Sequence, residues 1–128
     1  MEPNRVLDLN LTPWHGNKVM LSCAAIMLEQ VGRDCTIRGY HLELCRLLVF
    51  MGGACAIAST GVTPTDRAVL LNLGDVPEAE LADAAQLLSC AGEVVEELAT
   101  QDGVVLLALL AAPFNAEVGR RYDAAVRQ

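Results

Sequence analysis

Two histidines, five cysteines and sixteen carboxylates are the groups in this 128-residue chain that could do chemistry. His41 and Cys45 stand four residues apart, so a helix would set them on one face, where an imidazole could activate a thiolate nucleophile. No third residue is placed to orient the imidazole, and any cysteine four from a histidine gives the same spacing. The pair therefore reads as structural, and no catalytic residue is assigned. Cys23, Cys35, Cys45, Cys55 and Cys90 are odd in number, widely spaced and without a CxxC pair, so a zinc ribbon or thioredoxin-type site has no support. They read as buried free thiols in a reducing cytoplasm, with no metal and no cofactor expected. Carboxylate pairs such as Glu78 with Glu80 and Glu96 with Glu97 fall on a presumed solvated face, where nothing moves a pKa toward acid–base work. Gly52, Gly53 and Gly61 lack the lysine and the spacing of a phosphate loop.

The element that must carry most of these acids is the stretch 75–103. Asp75 with Glu78 fits a capping pair, Pro77 falls in the first turn, and Leu81, Ala84, Leu88, Ala91, Val95 and Leu98 recur in steps of three and four. This spacing predicts an amphipathic helix over 76–99, ended by Gln101, Asp102 and Gly103. Its other face carries Glu80, Asp83, Glu93, Glu96 and Glu97. Between Arg67 and Arg120 there is no Lys or Arg, while nine acids fall in that interval. Acids near a helix C-terminus are disfavoured by the dipole, by about 0.3–1 kcal/mol each. A solubilising surface is one reading of this face. A docking face for a basic protein partner is the other, with those five acids as contacts. Arg120 and Arg121, near Arg127, form a basic end that could meet the acidic face of a second copy, which makes them candidate oligomer contacts in a homodimer.

The remaining segments are less decisive. Residues 5–11 alternate as a strand does, and 18–31 reads as a buried helix, with a buried strand at 19–28 as the competing reading, before a breaker at Gly32, Arg33 and Asp34. Residues 35–51 fit strand or helix, Gly52 and Gly53 suggest a turn, and 54–58 could be a short strand. Thr63 to Asp66 resembles a helix start, yet 67–73 and 103–111 fit buried strands better, with helix left open for both, at 103–111 by its Leu/Ala content. Pro113 ends the latter, and Asn115 can cap a last helix over 116–126. The strand–helix–strand order of 67–111 favours α+β: a single domain, 1–128, with the central helix packed on a short sheet. An all-α bundle is the alternative.

Bulk properties bound the function. The chain is 53% hydrophobic, with mean hydropathy +0.36 and 4% aromatic content, so its core is built from Leu, Val and Ala. A net charge of −7 and a pI near 4.6 argue against a nucleic-acid ligand, and few rings are available to stack on bases. No secretory signal stands out, the apolar runs are short or interrupted, and a soluble cytoplasmic protein without membrane contact is expected. In size, charge and apolar content the chain is similar to small acidic secretion chaperones and to immunity or antitoxin proteins, a compositional likeness that carries no motif. The function expected is a non-enzymatic protein–protein interaction module of adaptor, chaperone-like or immunity-like kind. It would bind through the acidic helix face or an apolar patch beside it. A small cysteine-dependent enzyme and a structural subunit of a homo-oligomer are the alternatives.

Overall fold

Four helices account for the architecture of the described residues. The computed structural model describes residues 5–61 and 68–127, and the helix start expected at 63–66 lies outside them. Helix α1 spans Lys18–Ile37, α2 Leu42–Ser59, α3 Glu78–Ser89 and α4 Gln101–Val126. Short 3-10 turns occupy Thr12–Trp14, Ala91–Glu93 and Glu96–Ala99. The backbone of Arg5–Asp8 runs antiparallel to Ala68–Leu71, with Arg5 opposite Leu71. Four residues against four is a pairing beside the helices, and the described residues form no sheet layer for a helix to pack on. The fold is all-α, and the α+β expectation is corrected.

The correction has local causes. Residues 103–111 belong to α4, which is capped by Thr100 through its Oγ1 accepting from the Gly103 N–H at 3.1 Å. The Leu/Ala-rich run satisfies its backbone within the helix. It buries Leu106, Leu107, Leu110, Ala111 and Phe114 on one face. The helix continues through Pro113, so the segment expected as a separate last helix is its second half. Proline inside a helix removes one backbone hydrogen bond, and here the ring is buried in the core, where packing offsets that loss.

The helix expected over 76–99 is half as long. Asp75 makes no cap, Pro77 occupies the N-cap position, and α3 ends at Ser89. The chain then doubles back, which keeps the apolar spacing but breaks the rod: Leu98 is fully buried in a 3-10 turn. Two glycines permit this. A Cβ on Gly92 would lie 3.1 Å from the Leu98 carbonyl oxygen, and one on Gly103 would lie 2.5 Å from the same atom. Gly103 thus opens α4 where a helix stop was expected.

Glycines also set the α1–α2 hairpin. Gly32 lies within α1, its Cβ position 3.5 Å from the Leu48 side chain, and Gly52 within α2 approaches Leu28 at 3.4 Å. These pairings make the helices antiparallel and close, and they replace the breaker and the turn expected at these residues. The reversal between them uses Gly39 at φ +76°. One continuous core joins the hairpin to α3 and α4, with Leu28, Leu48, Met51, Leu81, Leu88, Leu98, Leu110 and Phe114 fully buried. Among the described residues no polar or charged residue is buried.

Candidate functional site

The five acids expected on one docking face separate into two groups. Glu80 and Asp83 hold the α1–α2 reversal. Glu80 Oε1 accepts from the His41 backbone N–H at 2.7 Å, and Asp83 Oδ2 accepts from the Tyr40 hydroxyl at 2.6 Å and from Arg38 at 3.4 Å. The Asp83 hydrogen bond raises the pKa of Tyr40. Glu93, Glu96 and Glu97 lie beyond the end of α3, exposed on the folded-back connection, with Val94 standing 84% exposed among them. Among the described residues no cation pairs with these three acids or with Asp102. The connection is firmly seated. Burial and the neighbouring Glu97 raise the Cys23 pKa from α1, and the Trp14 indole donates to the Asp102 carbonyl at 3.1 Å.

Arg120 and Arg121 are engaged within their own chain. Arg120 grips Glu117 through two nitrogens at 2.7 and 2.8 Å, while Arg121 reaches Glu117 at 3.4 Å and the Leu73 carbonyl at 2.7 Å. Side-chain hydrogen bonding from Arg120 holds the Glu117 carboxyl below its ordinary value. This cluster ties the far half of α4 to the segment before α3.

His41 and Cys45 do share α2's first turns, but they point to different work. The imidazole Nδ1 accepts from the Glu43 N–H at 3.2 Å as the N-cap of α2, and the Cys45 thiol faces the Tyr40 carbonyl at 3.8 Å. All five cysteines are free thiols. Cys35, Cys45 and Cys55 are buried, and Cys23 and Cys90 are half-buried. Burial pushes the Cys35 thiol up to about 11 and the Cys55 thiol up to about 12, which suppresses the nucleophilic thiolate. Among the described residues no group of three metal-ligating side chains comes together.

A surface that the sequence reading passed over lies on the outer side of the α1–α2 hairpin. Ile26 and Val49 are 64% and 62% exposed there, flanking a groove of about 560 Å³. Its floor is made by Ala25, Gly52, Gly53 and Ala56. Leu42, Val49 and Ala56 follow at intervals of seven along α2, and Val19 and Ile26 do so along α1, all exposed. The signal was present: α2 is apolar all round, and a helix of that kind calls for cover on every side. Half of it is buried in this fold, and by length and composition both α2 and α4 could also cross a membrane. No family model, curated protein or solved structure matches this chain.

Proposed function

We propose that the chain is a non-enzymatic protein-interaction module that docks through the outer face of its α1–α2 hairpin. The observation that carries this reading is the half-covered state of the most apolar helix. Isolated exposed aliphatic side chains need no explanation, but a run along two adjacent helices over a shared groove marks a contact surface. Charge supports the same assignment. Residues 18–59 hold four cations and three acids, a net +1, so the rest of the chain carries −8 of the total −7. The acidic half keeps the molecule soluble while leaving the hairpin face nearly neutral. Five free thiols suit a reducing compartment.

Capture from lysate tests this, with wild type compared against the double variant Val49→Lys, Ile26→Lys. Both positions are exposed, so the helical circular dichroism spectrum should not change. The module reading expects a protein, a second copy or another chain, that wild type retains and the variant releases. Equal retention by both would overturn it.

A second reading is favoured by Val94, whose exposure among Glu93, Glu96 and Glu97 offers an apolar anchor within negative charge. This surface suits a basic amphipathic segment of a partner. Reversal of the three glutamates to lysine should then abolish binding of a Lys/Leu amphipathic peptide, and unchanged affinity would sink it.

A further inference from the structure

We infer that the partner on the α1–α2 face is a second copy of this chain, packed hairpin to hairpin. The inference rests on the docking reading above and names its occupant. An isologous contact requires one patch to hold both a protrusion and the recess that receives it. The hairpin face has both. Ile26 and Val49 stand out from it, and the adjoining floor of Gly52, Gly53 and Ala56 has almost no side-chain bulk. The close approach of α1 to α2 at Gly52 keeps that floor low, with Leu28 and the Ala25 carbonyl directly beneath it.

Charge points the same way. The hairpin as a whole, at net +1, presents no strong field to a foreign charged partner, and it is where two molecules of net charge −7 meet with the weakest repulsion. Glu29 lines the groove and pairs with exposed Arg33 at 2.9 Å, which places both signs at its edge, as a two-fold contact between like faces needs. Heptad spacing at 42, 49 and 56 and at 19 and 26 suits helix-on-helix packing, and two antiparallel hairpins stacked on this face complete a four-helix bundle. Arg120 and Arg121, the candidate contacts read from the sequence, hold Glu117 and the Leu73 carbonyl within their own chain.

Sedimentation velocity with light scattering on the full chain, over about 1–100 µM, detects any dimer whose dissociation constant lies in or below that range. The expected result is twice 13.7 kDa at the top of the range, reached by a concentration-dependent rise or already present throughout. Val49→Lys with Ile26→Lys should raise the dissociation constant at least about tenfold, as loss of central apolar anchors does. Val126→Lys, exposed at the end of α4, should leave it unchanged. A monomer throughout the range overturns the inference, as does a dimer that survives the double variant. If the protein is monomeric while the same variant releases a captured chain, the second copy is excluded and the docking reading stands. If it is monomeric and binds phosphatidylcholine vesicles through this face, a lipid surface replaces both.

Discussion

Glu117 shows how one side chain can decide acid stability. Its carboxylate accepts from Arg120 and Arg121, with the side chain only 11% exposed. Arg120's hydrogen bonds lower its pKa from 4.5. A carboxyl depressed in the folded state stabilises it above the unfolded value, and that contribution is lost as pH falls through the folded value. Urea melts should therefore show stability falling as pH drops below 4.5, and Glu117→Gln should flatten that branch. The buried thiols act at the other end. Cys35 and Cys55 rise from 9.0 to about 11 and about 12 on folding, so the native state holds protons that the unfolded chain releases. Their stabilisation is complete below pH 9 and declines as pH rises toward 11 and 12. Cys55→Ala should reduce the alkaline slope in melts between pH 9 and 11. Native iodoacetamide labelling should reach Cys23 and Cys90 well before the three buried thiols.

At the scale of elements, the α3–α4 connection is fixed by contact, and its glycines are where that shows. A methyl on Gly103 would meet the Leu98 backbone at 2.5–2.6 Å, so Gly103→Ala should cost about 1–3 kcal/mol in urea unfolding, as overpacking does. Gly119, in the same helix with nothing within 4 Å, is the control: Gly119→Ala should stabilise by up to about 1 kcal/mol. These two residues also explain what the sequence could convey. The apolar spacing through Leu81, Leu88 and Leu98 correctly marked buried positions, but periodicity does not distinguish a straight rod from a chain folded back over its neighbour. Gly32, Gly52, Gly53 and Gly103 looked like punctuation, yet all four lie within helices. Gly32 and Gly52 serve close helix approach, and Gly103 makes room for Leu98. The Val/Leu block at 103–111 suited a strand by composition, and the Thr100 cap with a Leu/Ala run that satisfies its own backbone decides for helix. The acids were legible as a surface, but the pairing of Glu80 and Asp83 with the α1–α2 reversal depends on residues some forty positions away.

The molecule as a whole divides its surface into two regions of different character. Acidic charge gathers on the α3–α4 connection, while the α1–α2 hairpin is nearly neutral and leaves half of its most apolar helix uncovered. The proposed docking function rests on that division, in which high apolar content and a strong net charge sit on different parts of one chain. Solvent paramagnetic relaxation at methyl groups, read against protein concentration, measures the cover on each side directly. The account predicts that attenuation at Val49 and Ile26 falls as concentration rises while Val94 stays fully attenuated. Equal attenuation at all three residues at every concentration would contradict it.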